Sequence, residues 1–245
     1  MIKIFIPLDA GAVAVGADEV AAAFAAAATA RQLEIEIVRT GSRGLYWLEP
    51  MVEFAAPEGR VAFGPVTEDD VASVLDAMKG DSAHALRLGV ADEIPWLKRQ
   101  TRLTFARCGV VDPRSVEDYR AHDGYKGLER ALTLGSAGIL ADVTASGLRG
   151  RGGAGFPTGI KWKTVADTPA DRKFIVCNAD EGDSGTFADR MLFGGVPFVV
   201  IEGMTIAGIA VGATMGYIYV RSEYPHAIIA MEEGIKAARR AGFLG

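Results

Sequence analysis

Cysteine is scarce in this sequence of 245 residues, which contains only Cys108 and Cys177. The two lie far apart and form no C-x-x-C pair. The chain therefore holds no cysteine-ligated metal cluster unless other residues supply ligands, and we predict no metal site in it. Low cysteine usage is typical of a reducing compartment, and we expect the protein to be cytoplasmic.

A basic excess and a long apolar run are also lacking. The net charge of −5 and the pI near 5.3 argue against a nucleic-acid partner, because a phosphate-binding surface of that kind carries excess positive charge. The N-terminal apolar run is too short for a signal peptide. The longest apolar segment, residues 199–215, contains Glu202 and several small residues, so it is predicted to be a buried helix and not a membrane span.

Glycine, in contrast, is abundant, with 30 residues, and six of them fall within residues 146–162. A backbone without side chains lets its N–H groups approach an anionic group closely, so this segment is predicted to be a phosphate-binding loop. Arg149, Arg151 and Lys161 add positive charge, and Phe156 offers a ring for stacking. A flexible linker is the alternative, but linkers are usually Gly/Ser-rich and lack such cations and aromatic rings.

The loop does not fit two common phosphate-binding motifs. Gly150, Gly152 and Gly155 satisfy G-x-G-x-x-G, which indicates a Rossmann domain only when a strand precedes it. The preceding residues 138–146 have helical spacing, so a Rossmann domain is not expected. A Walker loop is excluded because Gly159 is followed by Ile160 and not by Lys and Ser or Thr.

The first eighty residues are predicted to form an α/β domain. Strands are expected at residues 3–7, 34–38, 51–55 and 60–64, and helices at residues 17–32 and from Thr67 to about Lys79. This order resembles the thioredoxin-like [2Fe-2S] ferredoxin fold, but the loop at residues 40–47, which carries cluster cysteines in that family, has none. We expect a thioredoxin-like domain without cluster ligands at residues 1–80, used for packing or docking. Tyr46 and Trp47 could instead be core residues.

Residues 81–135 are predicted to be a connector followed by helices. Four basic residues lie between Lys98 and Arg107, and they could contact an acidic partner or a cofactor phosphate, or simply form a solvated helix face. Asp112 and Pro113 are predicted to cap and begin a helix. Cys108 is interpreted as a buried packing residue.

Polar residues follow two predicted strands in the last third of the chain. Asn178, Asp180, Glu181 and Asp183 follow the strand at residues 173–177, whereas Tyr219, Glu223 and Tyr224 lie near the end of the strand at residues 216–220. Helices are predicted between the strands, at residues 197–215, and after them, at residues 227–241. Ligands bind at the carboxyl ends of strands in open α/β sheets, although these residues could also be solvated turn residues. The set suits a ligand with several N–H or hydroxyl donors, such as a flavin or a nicotinamide.

Three segments together, residues 146–162, 177–190 and 216–225, resemble the NADH- and FMN-binding flavoprotein subunit of respiratory complex I and its soluble relatives. The resemblance covers roughly residues 94–245. It implies the fold class: α/β, with a thioredoxin-like N-terminal domain lacking cluster cysteines, followed by an FMN-binding domain of the complex I flavoprotein type at residues 136–245. The cysteine-free N-terminal domain and the pair Asp183-Ser184 are most similar to the diaphorase (beta) subunit of soluble, molybdenum-dependent NAD formate dehydrogenase.

The resemblance also implies roles for particular residues. It assigns the FMN phosphate and ribityl group to Gly150, Arg151, Gly152 and Gly153, and charge stabilisation of the reduced flavin to Lys161. The rest of the flavin site would be Asn178, Asp180, Glu181, Tyr219 and Glu223. Contacts to NADH would come from Phe156, Asp183 and Tyr224. Asp183 replaces a longer glutamate of the family. No protein side chain is assigned a catalytic role, because hydride transfer between NAD(H) and FMN belongs to the cofactors.

The implied partners are a small thioredoxin-like [2Fe-2S] subunit and a large molybdenum- and iron–sulfur-containing catalytic subunit, with which single electrons are exchanged. The family's [4Fe-4S] domain would lie beyond Gly245, so we expect the chain to be a fragment with a truncated FMN-binding domain. The flavoprotein subunit of complex I, that of an NAD-reducing hydrogenase and a noncatalytic assembly scaffold remain alternative functions.

Overall fold

A five-stranded sheet organises the first ninety residues of the computed structural model, which describes residues 1–78, 80 and 82–245. The strand order is β2-β1-β3-β4-β5, with β1 and β2 parallel and the other neighbours antiparallel. The strands are β1 (Ile2–Pro7), β2 (Ile35–Thr40), β3 (Val52–Ala56), β4 (Gly59–Phe63) and β5 (Arg87–Val90). This β-α-β unit followed by a hairpin is the predicted thioredoxin-like arrangement.

The helices of this half cover one face of the sheet. They are α1 (Ala10–Val13), α2 (Ala17–Ala30) and α3 (Val71–Ala77). Phe24 of α2 contacts Phe54 of β3 edge to face, with ring centroids 6.0 Å apart, in a core of buried aliphatic and aromatic side chains. Thr67 precedes a 3-10 turn, Glu68–Asp70, and forms a capping box with Asp70 before α3 begins. The predicted end of this helix at Lys79 lies outside the described residues.

Strand β5 was not predicted from the sequence. It pairs with β4 through Val61 and Val90, so the sheet extends past residue 80, which the sequence predicts as the end of the first domain. Asp81, predicted to begin the connector, lies outside the residues that the structure describes. The division into domains stays a prediction.

The connector contains short helices, α4 (Pro95–Lys98) and α5 (Val116–Ala121). The prediction that Asp112 caps a helix was wrong. Helix α5 is capped by Ser115, whose Oγ accepts a hydrogen bond from the Asp118 N–H (3.0 Å), whereas the Asp112 carboxylate accepts one from the Arg114 N–H (2.8 Å). Cys108 is fully buried, as predicted.

The second half, residues 126–245, contains a two-stranded parallel sheet surrounded by helices. Its elements are α6 (Lys126–Ala145), α7 (Thr158–Asp167), β6 (Phe174–Ala179), α8 (Ala188–Gly195), α9 (Pro197–Val211), β7 (Met215–Val220) and α10 (Pro225–Arg240). Helix α9 is shorter than predicted, because Gly212 adopts a left-handed conformation (φ 78°) and Met215 already begins β7. Helix α10 begins two residues earlier than predicted, with Pro225 in its first turn.

No single helix among the described residues is long and apolar enough to cross a membrane. Helices α8 and α9 meet the criteria of length and composition only as a pair that is bent by 98°.

The N-terminal half contacts both the connector and the second half. Arg60 of β4 donates hydrogen bonds to the carbonyls of Gly109 (3.2 Å) and Val110 (2.6 Å). A Cβ atom placed on Gly41 would lie 2.5 Å from the Cα of Gly195, so backbone meets backbone here. Tyr46 contacts Phe187 across the same boundary, with ring centroids 5.1 Å apart. Trp47 is exposed and stacks edge to face on Trp96, so it is not a core residue.

Glu49 is a buried carboxyl near this boundary. Its Oε1 accepts a hydrogen bond from Ser42 Oγ (2.6 Å) and its Oε2 accepts one from the Met51 N–H (2.8 Å). Burial raises the pKa of Glu49 from 4.5 to about 7. Between these values the unfolded chain holds fewer protons than the folded chain, so the contribution of Glu49 to stability falls as the pH rises through this window.

We therefore expect Glu49→Gln to gain stability relative to the wild type as the pH rises. A pKa difference of this size corresponds to about 3 kcal/mol between pH ~5 and pH ~8. Urea unfolding of both proteins across this range measures the difference in the free energy of unfolding. A difference that does not change with pH would show that Glu49 does not titrate in this window.

Candidate functional site

The glycine-rich segment forms a closed loop between α6 and α7. The Gly150 N–H donates to the Phe156 carbonyl (2.8 Å) and the Thr158 N–H donates to the Leu148 carbonyl (2.9 Å). These bonds close the loop into a hairpin whose tip is residues 151–155. At its far end, Gly159 lets α7 approach α6, since a Cβ there would lie 2.4 Å from Thr144 Oγ1. The loop is thus held at both ends, as a rigid ligand loop requires.

The tip of this loop is open. A Cβ atom on Gly152 or Gly153 would meet no heavy atom of the described residues within 4 Å, and Gly153 has a φ of 92°, which favours glycine. Within the described part of the chain, the N–H groups of residues 151–155 donate to no backbone acceptor. An anionic group such as a phosphate could therefore accept hydrogen bonds from them.

Two of the predicted cations lie at this tip, since Arg151 belongs to it and Arg149 Nε would lie 3.6 Å from a Cβ atom on Gly155, whereas Lys161 lies near the start of α7. Arg149, Arg151 and Lys161 are exposed, and among the described residues none of them makes an ion pair. Phe156 is also exposed, at the closing end of the loop. The residues of the loop thus fit a phosphate-bearing ligand in both shape and charge.

The ends of the two predicted strands lie side by side. Asn178 of β6 is directly paired with Tyr219 of β7 in the parallel register. The Asn178 Oδ1 accepts a hydrogen bond from the Asp180 N–H (3.0 Å), which leaves the amide NH₂ available as a donor. Parallel sheets are usually covered on both faces. Here Val176 and Tyr219 are 66% and 59% exposed, so one face is open to a ligand or to further protein.

Glu181 has a role that sequence reasoning missed. Its Oε1 and Oε2 accept hydrogen bonds from the N–H groups of Asp189 (2.8 Å) and Arg190 (2.9 Å), so it caps the N-terminus of α8. Its backbone carbonyl accepts hydrogen bonds from Arg221 Nη1 (3.2 Å) and the Tyr224 hydroxyl (3.3 Å). Glu181 therefore joins the ends of both strands to α8. A glutamate several residues before a helix was the only available signal.

Glu223 is paired with Arg221. The carboxylate accepts hydrogen bonds from Arg221 Nη2 (3.0 Å) and Nε (3.2 Å), and this pairing lowers the pKa of Glu223 to about 2. Glu223 and Tyr224 also line a small cavity of about 180 Å³ between the strand ends and Asp9 of the N-terminal half. This part of the predicted site is therefore a charged network that shares a cavity with residues of the N-terminal half.

Asp183 lies apart from these contacts. Its side chain is exposed, and its backbone carbonyl accepts hydrogen bonds from the Thr186 N–H (3.3 Å) and hydroxyl (2.6 Å) in a turn. The structure brings together Asn178, Asp180, Glu181, Tyr219, Glu223 and Tyr224 at the strand ends. It does not place Asp183 or Phe156 in contact with them.

A larger cavity connects the glycine loop with the connector. It has a volume of about 540 Å³ and includes Arg151 of the loop together with Phe187 and Ala188, which follow β6. The opposite wall is residues 100–105 and Arg43. Residues 100–105 are not among the site residues predicted from the sequence, which indicates only that the basic stretch containing them could contact an acidic partner or a cofactor phosphate, or form a solvated helix face. No group of three or more His, Cys, Asp or Glu side chains suited to a metal ion occurs in the described ranges.

Similarity to known proteins is concentrated in this half of the chain. Residues 143–243 match the family model of the Nuo51 FMN-binding domain. The chain is 51% identical over 148 residues to the HndC subunit of an NADP-reducing hydrogenase of Solidesulfovibrio fructosivorans, covering 60% of this chain and 30% of that protein. It is 44% identical over 154 residues to a subunit of the NADH-quinone oxidoreductase of Aquifex aeolicus (strain VF5), covering 62% of this chain and 36% of the relative.

Among solved structures, an NAD⁺-reducing [NiFe]-hydrogenase in the air-oxidised state aligns with 98% of this chain and 41% of its own, at 21% identity and a TM-score of 0.46. The chain spans about a third of the length of the curated relatives that it matches. Residues 143–243 are therefore similar to the FMN-binding domain of the complex I flavoprotein.

Proposed function

We propose that this chain binds FMN and NAD(H) and forms the part of a diaphorase at which a hydride passes between them. The observation that carries the proposal is the open tip of the glycine loop, where N–H groups without a backbone acceptor lie beside Arg149 and Arg151, neither of which forms an ion pair with a described residue. FMN, when bound, supplies hydride exchange with NAD(H) and the release of electrons one at a time. A noncatalytic scaffold does not require unpaired positive charges around a glycine-rich loop.

The residues of the chain would divide the work of binding. The N–H groups of residues 151–153 and the Arg151 guanidinium would hold the FMN phosphate, and the Lys161 ammonium would stabilise negative charge on the flavin. At the strand ends, the Asn178 amide and the carboxylates of Asp180 and Glu223 would hold polar edges of the flavin. Glu181, whose carboxylate already caps α8, would act mainly by fixing the strand ends in place.

The contacts to NAD(H) would come from Phe156, Asp183 and Tyr224. Phe156 offers an exposed ring for adenine stacking. The exposed Asp183 would accept a hydrogen bond from the nicotinamide carboxamide. The protein's contribution to the reaction is then orientation of the two ring systems and exclusion of water between them.

Absorbance spectroscopy tests the proposal. The purified chain is incubated with FMN or with riboflavin, freed of unbound flavin, and scanned before and after anaerobic addition of NADH or NADPH. We expect a band near about 450 nm with FMN and much less with riboflavin, which lacks the phosphate, and bleaching by NADH in preference to NADPH. Protein that stays colourless with FMN would contradict the proposal.

The finer assignment is to the diaphorase of a molybdenum-dependent NAD formate dehydrogenase in the cytoplasm. The cysteine-free thioredoxin-like domain and Asp183-Ser184 support it. The partners would be a [2Fe-2S] subunit and a molybdenum- and iron–sulfur-containing subunit, and a [4Fe-4S] cluster would belong to protein sequence outside this chain. The exposed pair Trp47 and Trp96 offers the first domain a surface for such docking.

A hydrogenase is the second candidate, favoured by the 51% identity with HndC. The two assignments differ in the electron donor. Formate-dependent and H₂-dependent reduction of NAD⁺, measured on the complex purified through this chain from its native cells, separate them. Activity with H₂ alone would exclude the formate dehydrogenase assignment.

A further inference from the structure

The large cavity beside the glycine loop has a lining of unusual charge for an acidic protein. It is lined by Arg43, Arg102 and Arg151, by uncharged polar residues of the connector and by the rings of Phe105 and Phe187. Among the described residues, no aspartate or glutamate belongs to this lining. The cavity of about 540 Å³ lies within the range of small-molecule sites, roughly 300–1,000 Å³.

One of the three arginines is already neutralised. Arg43 donates to Glu53 through Nε (2.5 Å) and Nη2 (2.9 Å), and to Asp92 through Nη1 (2.9 Å). Arg102 and Arg151, in contrast, make no ion pair or hydrogen bond with any residue that the structure describes. The cavity therefore carries two positive charges without an ion-paired carboxylate, one from the connector and one from the glycine loop. The carboxylate that acts on Arg102 is that of Asp92, which is already paired with Arg43.

Arg102 differs from the other basic residues of the connector. Lys98 forms an ion pair with Glu93, and Arg107 donates to the His122 carbonyl (2.6 Å) and stacks on Tyr119. Arg99 is exposed to solvent. Of these four, Arg102 alone is half-buried without a partner in the described part of the chain, and burial lowers the pKa of its guanidinium. Arg102 lies after the end of α4, so it is not part of a solvated helix face.

A half-buried guanidinium costs free energy unless an anion compensates it. Arginine forms bidentate hydrogen bonds with phosphate oxygens, and the hydroxyls of Thr101 and Thr104 on the same wall add further donors. The rings of Phe105 and Phe187 in the same lining suit the organic part of such a ligand. Arg151 connects this wall directly to the tip of the glycine loop.

We propose that Arg102 is a second anion-binding residue of the nucleotide site, and that it holds a phosphate group between itself and Arg151. The inference rests on the proposed function, because the phosphate belongs to a nucleotide bound at the glycine loop. Two sources offer the same chemistry, namely the diphosphate of NAD(H) and the phosphate of FMN. Their binding can be measured separately.

Isothermal titration calorimetry with ADP-ribose, FMN and inorganic pyrophosphate tests the inference without any measurement of activity. The variants are Arg102→Gln, Arg102→Lys and, as matched control, Arg99→Gln. We expect Arg102→Gln to weaken the binding of pyrophosphate and of at least one nucleotide by about tenfold or more. Arg102→Lys should lose less affinity than Arg102→Gln, because lysine keeps the positive charge and loses only the bidentate geometry. Arg99→Gln should bind all three ligands like the wild type.

The outcomes distinguish the sources. A loss confined to pyrophosphate and ADP-ribose supports the dinucleotide diphosphate, and a loss confined to pyrophosphate and FMN supports the flavin phosphate. Unchanged binding of all three ligands by Arg102→Gln overturns the inference but leaves the proposed function standing. A wild-type chain that binds neither nucleotide overturns both. If circular dichroism shows that Arg102→Gln is unfolded, Arg102→Lys decides, and its wild-type affinity for all three ligands would overturn the inference.

Discussion

Replacing Gly152 by valine is expected to weaken FMN binding by about a hundredfold or more and to leave the melting temperature unchanged. A Cβ atom at Gly152 would meet no atom of the described residues within 4 Å, and its φ lies outside the left-handed region, so the folded chain accepts a side chain there. We expect that side chain to compete with a bound phosphate for the space at the loop tip, where the N–H groups donate to no backbone acceptor of the described residues. A hundredfold loss corresponds to about 2.8 kcal/mol of binding free energy.

Fluorescence titration of FMN, together with thermal unfolding of the apoprotein, measures both quantities. Gly203→Val is the matched control, because Gly203 also faces open space but lies on α9, away from the loop. It should bind FMN like the wild type. Wild-type affinity in Gly152→Val would show that the phosphate does not sit at the loop tip.

Truncating Glu202 to alanine is expected to destabilise the second half of the chain by about 3 kcal/mol or more. The buried Glu202 carboxylate on α9 accepts hydrogen bonds from the Tyr119 hydroxyl (2.6 Å) and from the N–H groups of Tyr125 (3.0 Å) and Leu128 (2.9 Å). Alanine would leave three donors buried without an acceptor, one on α5 and two at the start of α6. Desolvated donors of this kind account for the size of the effect.

Urea unfolding gives the free energy of each variant. Glu202→Gln keeps one acceptor oxygen, so its free energy of unfolding should fall by less than that of Glu202→Ala. Glu232→Ala removes an exposed carboxylate that pairs with Lys236 at 3.8 Å, and should change stability by no more than about 0.5 kcal/mol. A loss below about 1 kcal/mol in Glu202→Ala would mean that water or a rearranged α6 satisfies the three donors.

The sequence predicted those features that depend on neighbouring residues. The glycine loop, the strands β6 and β7 and the helix predicted at residues 138–146 follow from local spacing. The structure contains them, with the helix as the last part of α6, which ends at Ala145. Strand β5 has only four residues, one of them a glycine, and depends on pairing with β4 for its existence. The start of α5 depends on which of two polar residues, Asp112 or Ser115, reaches a free N–H, and the sequence does not decide that.

In the candidate site, too, some features depend on local sequence and others depend on tertiary contacts. The sequence predicted that polar residues such as Asn178 and Tyr219 lie near the ends of two strands, but their direct pairing comes from the parallel register of β6 and β7. The capping of α8 by Glu181 and the surroundings of Arg102 depend instead on groups brought near by tertiary packing. Exposure of Trp47 likewise depends on where Trp96, far along the chain, comes to lie. Capping, burial and exposure of this kind depend on contacts between residues that are distant in the sequence, so they cannot be predicted from a local sequence pattern.

The contact between Gly41 and Gly195 constrains how the two halves can change over evolutionary time. A methyl group on either residue would press against backbone of the other half, and backbone cannot move aside as a flexible side chain can. A substitution at one position would therefore require a compensating shift in the other half. The thioredoxin-like half is consequently not a freely exchangeable module, and a recombined protein with a foreign N-terminal domain would have to reproduce a glycine at this position.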